Sequence, residues 1–202
     1  MRGLPAVSPP DGADQLQAAQ AGDRAREFED DATADAAARG VRLSERNETA
    51  IVLPGGARIA LLVWQGVGAD HDDFAAIGAL DDGDVMRLTE AAVNRLRTDV
   101  PLLFGNVSVP TGNLSPDFAG SYGLWIQRRG SGWRLVFNNE PDSWGTQHNP
   151  EYNAAQTELT YSRSGPPDRP LGARLVPTSA SSGQLVIHWG PHQWAADFVV
   201  AP

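Results

Sequence analysis

Cysteine and lysine are both absent from the 202-residue chain. Without cysteine, the protein forms no disulfide and offers no thiolate metal ligand or cysteine nucleophile. Without lysine, it has no side-chain amine for Schiff-base catalysis, and arginine carries the fixed positive charge. Catalysis by a cysteine nucleophile and catalysis through a lysine Schiff base are therefore excluded. An oxidising compartment stays compatible with the composition.

Long apolar runs and an excess of positive charge are also missing. No stretch is apolar enough for a transmembrane helix, and the start, MRGLPAVSPPDG, lacks the apolar segment of a signal peptide. The net charge of −9 disfavours nucleic acid as a partner, because phosphate contacts need clustered cations. We expect a soluble protein, cytoplasmic as it stands, or periplasmic or secreted if a signal peptide has been removed.

The beginning of the chain differs in composition from the rest. Residues 1–40 hold eight acidic residues and four Arg, which contribute −4 of the net charge. Their alanine-rich composition favours helix, but Leu16 and Phe28 are the only large apolar residues between positions 11 and 40. A helix with so few apolar anchors docks weakly. We therefore predict an acidic tail over 1–44, helical or disordered, and a single domain over 45–202.

Short apolar segments separated by turn residues fill the remainder, a pattern typical of antiparallel β structure. The predicted strands are residues 48–53, 58–64, 102–109 (with a tight turn at Gly-Asn), a strand that carries Tyr122, Leu124 and Ile126, and residues 132–138, 157–163, 172–177, 184–189 and 194–200. The six Asp of residues 70–84 indicate a loop, and Gly190-Pro191-His192-Gln193 a turn. The fold class predicted is an antiparallel β-sandwich or partly open barrel.

Two places in this layout leave more than one interpretation open. Residues 85–98 fit either a helical stripe or two short strands around a bend. In the hairpin over 121–138, one face is apolar and is expected to be core, and it comprises Tyr122, Leu124, Ile126, Trp133, Leu135 and Phe137. Trp125 lies on the opposite face, which is either partly wet or covered by the loop that follows.

Four segments carry a resemblance to a known family: AGSYGLWI at 119–126, GWRLVFN at 132–138, WGTQHNP at 144–150 and LVIHWG at 185–190. In their order and spacing they resemble the uncharacterised bacterial family named domain of unknown function 2911. The resemblance covers residues 45–200 and implies a compact β-sandwich-like domain that is usually exported, without implying an activity. It also favours strand over helix at 85–88.

The polar loop after the hairpin is the candidate ligand-binding region. Trp144 would be a stacking platform, and the other candidate ligand-binding residues are Trp125, Asn138, Asn139, Asp142, His148 and Glu151. In the alternative interpretation, Trp144 folds back over Trp125, and the Asn and Asp side chains make turn hydrogen bonds. The leading hypothesis is a non-enzymatic envelope or secreted module that binds a small molecule, a glycan or a protein.

Catalytic and metal sites are weaker alternatives. His148, His188 and His192 are the candidate metal ligands, with Glu151 or Asp142; the spacing of His188 and His192 suits a helix, but they lie in predicted strand and turn. A metal-assisted hydrolase using His148 with Glu151 or His188 is one alternative function, and a structural protein-interaction module is another. No cofactor is predicted, the Asp-rich stretches lack the spacing of an EF-hand, and neither Ser121 nor Ser143 lies in a GxSxG motif.

Overall fold

Alternating apolar residues organise the chain into antiparallel strands joined by short turns. The computed structural model describes residues 46–64, 67–87, 92–111 and 120–201, so the predicted tail over 1–44 lies outside the described residues. The strands are β1 (Arg46–Val52), β2 (Arg58–Trp64), β3 (Asn94–Thr98), β4 (Leu102–Phe104), β5 (Val107–Val109), β6 (Ser121–Arg129), β7 (Gly132–Asn138), β8 (Asn153–Arg163), β9 (Gly172–Pro177), β10 (Ser182–Trp189) and β11 (His192–Val200). A short helix, α1 (Asp72–Ala76), and the 3₁₀ helices Ile77–Ala79 and Pro150–Tyr152 accompany them. Within the described ranges, no helix is long and apolar enough to cross a membrane.

The strands form one sheet that curls into a nearly closed barrel. Hydrogen-bonded neighbours follow the order β1-β2-β3-β6-β7-β8-β11-β10-β9, and β4 pairs with both β11 and β5. At the ends of this order, β9 approaches β1 and β2. The Leu171 N–H donates a hydrogen bond of 2.8 Å to the Val67 carbonyl there. The predicted antiparallel β fold is confirmed, in its barrel form.

Inward-facing side chains of the strands fill the barrel. Its largest fully buried side chains include Trp189, Trp194 and Tyr122. The ring of Phe104 on β4 lies 4.9 Å from the ring of Phe137 on β7 and 5.6 Å from that of Phe198 on β11. The short strand β4 therefore packs an aromatic ring against both β7 and β11, two strands that are separated by β8 in the sheet.

The central hairpin, β6 and β7, pairs from Gly123↔Asn138 to Arg129↔Gly132. The predicted core residues are all buried: Tyr122, Leu124, Ile126, Trp133, Leu135 and Phe137. The polar tip of Tyr122 is satisfied as well, because its hydroxyl donates to the Pro110 carbonyl at 2.6 Å. These contacts confirm the inward face of the hairpin.

The Asp-rich stretch over 70–84 contains more regular structure than a loop, so that prediction was wrong. Helix α1 starts after His71, whose Nδ1 accepts a hydrogen bond of 3.2 Å from the Asp73 N–H. Acidic residues in the first turn of a helix interact favourably with its free N–H groups, and Asp72 and Asp73 lie there. Three apolar residues of the segment anchor it by packing in or against the core: Phe74, Ile77 and Leu80.

Residues 85–98 are extended wherever the structure describes them. Val85 forms a β-bridge with Gln127, and the Met86 N–H donates to the Ile126 carbonyl at 2.8 Å. Further along the chain, β3 pairs with Ser121 to Leu124 on the same edge of β6. The strand interpretation is therefore confirmed for 94–98, whereas Val85 and Ala92 form isolated bridges. The helical interpretation is wrong for the described residues of this segment, and 88–91 lie outside them.

Candidate binding loop

The segment between β7 and β8, residues 139–152, is called the binding loop below. It begins after a register shift between Phe137 and Asn138. The Val93 N–H donates to the Ser143 carbonyl at 2.9 Å, and Ala92 forms a β-bridge with Trp144. On the neighbouring strand β3, the guanidinium of Arg95 donates to the Pro141 carbonyl. These bonds fix the first half of the loop to the rest of the sheet.

A buried Asn138 organises both ends of the binding loop. Its Nδ2 donates to the Asn149 carbonyl at 2.8 Å and to Asn153 Oδ1 at 3.0 Å. Its Oδ1 accepts from the Glu140 N–H at 2.8 Å. With only 1% of its surface exposed, Asn138 cannot meet a ligand in this conformation. Its role is to hold the loop, as the turn-forming alternative supposed.

Trp125 is buried on the outer face of β6, so the covered interpretation of this face is confirmed. Only 2% of the side chain is exposed, and it packs with Val93 and Val136 in a small cluster separate from the barrel core. The ring of His148, in the binding loop, lies 5.0 Å from the indole at an angle of 56°. His148 therefore folds back over Trp125, and Trp125 is not available as a stacking surface.

His148 is itself fixed by the loop. Its Nε2 lies 2.9 Å from Asn153 Oδ1, and because an amide oxygen only accepts, Nε2 carries the proton. Asn153 therefore receives hydrogen bonds from both Asn138 and His148. Sequence reasoning missed Asn153, because the apolar alternation of β8 becomes visible only at 157, four residues after the strand begins.

The remaining candidate residues lie closer to the surface. The indole of Trp144 is 37% exposed, and Asp142 and Glu151 are exposed as well. Asn139 is half-buried, and its N–H donates to the Tyr152 carbonyl at 2.8 Å. The ring of Tyr152 was not among the predicted site residues, yet 43% of it is exposed. The loop therefore presents two aromatic side chains and two carboxylates to solvent.

A cavity of about 10 Å³ lies under the loop, and its walls include Trp125, Asn94 and Gly145. A cavity of that size holds at most one water molecule. The indole Nε1 of Trp125 is buried and meets no acceptor among the described residues. An organic ligand does not fit in this space.

The candidate metal ligands do not converge. Among the described residues, no group of three His, Asp or Glu side chains is placed to hold a metal ion. His188 Nδ1 donates to the Pro170 carbonyl at 3.1 Å, whereas His192 Nδ1 shares a hydrogen bond of 2.7 Å with the Tyr161 hydroxyl. His188 points away from Ile187 and Trp189, as its position in the burial pattern of β10 indicates.

The assignment of His192 to a turn was wrong. It is the first residue of β11, paired with Trp189, and only 8% of it is exposed. The turn consists of Gly190 and Pro191, so the alternation of β11 starts two residues earlier than predicted. His192 therefore faces the inside of the barrel and His188 the outside.

Both histidines are in surroundings that favour the neutral ring. Burial, then the charges of Arg169 and Arg174, lower the pKa of His188, although the hydrogen bond to Pro170 acts in the opposite direction. Burial, then the charge of Arg163, lower the pKa of His192. Neither ring is expected to add positive charge near neutral pH.

The acidic and serine residues considered earlier have structural partners. Asp82 Oδ1 accepts from the Gly130 N–H at 2.8 Å, and Asp84 Oδ2 accepts from the Asp81 N–H at 3.0 Å. The hydroxyl of Ser143 donates to the Glu140 carbonyl at 3.2 Å. Ser121 is buried at the start of β6. These contacts explain the residues as turn and strand anchors.

Comparison with protein-family models, with curated proteins and with solved structures finds no match to this chain. The similarity to the domain of unknown function therefore stays a prediction from the four sequence segments.

Proposed function

We propose that this β domain is a non-enzymatic binding module whose binding loop holds a glycan or a similar neutral, hydroxyl-rich molecule. The observation that carries the proposal is the setting of Trp144. Its indole is 37% exposed, while Ser143 and Trp144 are both paired with residues 92–93. A loop whose backbone is held in place before binding loses little conformational freedom when a ligand arrives.

The chemistry around Trp144 supports a neutral ligand. An aromatic face packs against the apolar face of a sugar ring, and the exposed Tyr152 offers a second such surface. Asp142 and Glu151 offer carboxylate oxygens that accept hydrogen bonds from hydroxyl groups. The same carboxylates would repel an anionic ligand. A rigid barrel that carries an ordered loop is a common platform for recognition.

The test is a thermal-shift and calorimetric titration with cellohexaose, xylohexaose and chitohexaose. We expect at least one of them to bind saturably to the purified protein. A ligand present at about 100 times its Kd stabilises the folded state by about 2.7 kcal/mol, which a thermal shift detects. Parallel titrations with divalent cations and EDTA test the metal-assisted alternative directly.

The decisive variant is Trp144→Ala, with Gln147→Ala as its control in the same exposed loop. Trp144→Ala should remove binding and leave the protein folded, whereas Gln147→Ala should bind as the natural chain does. If Trp144→Ala unfolds the protein, the indole is an anchor and the proposal is wrong. If none of the three oligosaccharides binds, the glycan proposal is wrong as well, and a protein partner becomes the leading alternative.

A further inference from the structure

The end of the barrel opposite the binding loop carries a cluster of aromatic rings. We call this cluster, Trp133, Tyr161, His192 and Trp194, the aromatic mouth. His192 lies 5.6 Å from Trp194 with the rings 9° from parallel, and Trp133 lies 5.5 Å from Trp194 at 74°. Register places Tyr161 opposite Trp194, on the same face of the sheet. The mouth therefore lies on the inward face of β7, β8 and β11, beside the turns at Gly130 and Gly190.

Tyr161 is the exposed member of the mouth. Its ring centroid lies 5.7 to 5.9 Å from those of the other three members, and its hydroxyl is 2.7 Å from His192 Nδ1. Even so, 38% of Tyr161 is exposed. An aromatic ring that is packed and hydrogen-bonded on its inner side and open on its outer side is a fixed surface for stacking.

Two donors of the mouth have no acceptor. The indole Nε1 atoms of Trp133 and Trp194 are buried and meet no hydrogen-bond partner among the described residues. Buried polar atoms in folded proteins are nearly always paired, because an unpaired donor is unfavourable. Because both nitrogen atoms are buried, a ligand at the surface of the mouth meets the exposed ring of Tyr161 rather than these N–H groups.

The rim of the mouth is positively charged. Arg163 is directly opposite His192 in the ladder between β8 and β11, and the guanidinium of Arg128 lies 5.0 Å from the centre of the Trp133 ring. Two carboxylates on neighbouring elements have other partners, since Asp82 pairs with Arg129 and Glu158 with Arg134. Within the described part of the chain, neither Arg163 nor Arg128 forms a salt bridge. Arg128 also donates to the Ser131 and Gly132 carbonyls. Arg163, on the same face of β8 as Tyr161, is therefore the guanidinium open to a ligand.

We propose that the aromatic mouth is a second binding site, specific for a small aromatic carboxylate. The ring of the ligand would stack on Tyr161 and its carboxylate would bind the guanidinium of Arg163. Arginine matches a carboxylate with two parallel hydrogen bonds, and the mouths of β-barrels are recurrent positions for small-molecule sites.

The two halves of the site together select this class of ligand. A simple anion would use Arg163 but leave the surface of Tyr161 unused, and a neutral aromatic molecule would do the reverse. The site is distinct from the glycan surface proposed for the binding loop, since Trp133 and Asn138 lie at opposite ends of β7.

The test uses benzoate as the probe, with acetate and benzamide as matched probes that each lack one half of the ligand. The natural chain, labelled with ¹⁵N, is titrated while the indole N–H resonances are followed by NMR. We expect benzoate to shift the resonances of Trp133 or Trp194 saturably, and to bind at least about tenfold more tightly than either matched probe.

The variant Arg163→Gln should weaken benzoate binding at least about tenfold, because a charge-assisted hydrogen bond is lost. Arg174→Gln is the matched control. Arg174 is an exposed arginine on β9, facing outward, and forms no salt bridge with another described residue. It should leave benzoate affinity unchanged. Both substitutions are at exposed side chains, so both proteins should fold.

Three results would overturn the proposal: no saturable shift with benzoate, equal affinity for benzoate and benzamide, or unchanged affinity in Arg163→Gln. The glycan proposal is tested separately with the same proteins. Trp144→Ala should bind benzoate normally, and Arg163→Gln should bind the oligosaccharide normally, so failure of one site does not imply failure of the other.

Discussion

The ring of Phe74 occupies the space that a side chain at position 190 would need. A Cβ atom added to Gly190 would lie 2.7 Å from two ring carbons of Phe74 and 3.0 Å from the Pro167 carbonyl oxygen. Gly130 has nearly the same backbone angle, φ of 52° against 53°, but nothing lies within 4 Å of its added Cβ. A comparison of substitutions at the two glycines therefore distinguishes the effect of backbone strain from the effect of steric conflict.

Gly190→Ala is expected to destabilise the protein more than Gly130→Ala. Both substitutions place a side chain in the left-handed region, which is unfavourable by about 1–2 kcal/mol. Only Gly190→Ala also displaces Phe74, which packs 5.5 Å from Trp189. Urea unfolding of the two variants measures the difference. Equal losses of stability would show that Phe74 moves aside without resistance.

Asn138→Ala should lower the free energy of unfolding by about 2–3 kcal/mol. It removes three hydrogen bonds and leaves the Glu140 N–H and the Asn149 carbonyl without their buried partner. Urea denaturation measures the loss, and Gln147→Ala, in the exposed part of the same loop, should stay within about 0.5 kcal/mol of the natural chain. A small effect of Asn138→Ala would mean that the loop is held mainly by its pairing to residues 92–93.

Trp125→Ala and Trp144→Ala should differ strongly in stability. Removal of the buried indole of Trp125 is expected to lower the free energy of unfolding by about 3–5 kcal/mol. Because Trp144 is 37% exposed rather than 2%, its replacement should lower stability by only about 1 kcal/mol. Thermal and urea unfolding of both variants provide the comparison. Similar losses would contradict the division of these residues into an anchor and an exposed surface.

Stability should fall as the pH is lowered through the titration range of histidine. The pKa values of His188 and His192 lie below the ordinary 6.5 in the folded protein. Below about pH 6.5, the unfolded chain therefore binds protons that the folded chain does not, and this favours unfolding. At higher pH both states carry neutral rings, and the contribution disappears.

Urea midpoints at about pH 7.5 and about pH 5.5 test this dependence. The double variant His188→Gln, His192→Phe should show a smaller difference between the two midpoints than the natural chain. The Phe ring keeps a planar group beside Trp194 and Phe74, which lie 5.6 and 5.7 Å from the ring of His192. An unchanged difference would assign the pH dependence to other groups.

The strands were predictable because their signal is local. Alternation identifies the inward faces of β6 and β7, and glycine-containing turns identify the hairpins. The closure of the sheet was not predictable to the same degree, since the pairing of β3 with β6 and of β8 with β11 joins segments far apart in the chain. Helix α1 was missed for a related reason, because five residues are too few to produce a periodic pattern.

The candidate site was predictable in place but not in detail. The sequence locates the loop after β7, yet it cannot decide which tryptophan is covered, since Val93 and His148 reach Trp125 from other segments. Two members of the aromatic mouth, Trp133 and Trp194, lie in strands with apolar alternation, and that pattern alone predicts buried core rather than a binding surface. The charged rim of the mouth depends on the register that brings Arg163 opposite His192.

The incomplete closure between β1 and β9 determines where the structure opens locally. Among the described strands, β1 has a single hydrogen-bonded neighbour, β2, and β9 has only β10. Detaching β1 breaks the hydrogen bonds to one neighbouring strand, whereas detaching β7 breaks the hydrogen bonds to two. Amide protons in β1 and β9 should therefore exchange with solvent through small, frequent openings, and those of β7 only through events that approach complete unfolding. Local unfolding therefore begins at the edge between β1 and β9, whereas both proposed binding surfaces border the slowly exchanging strands.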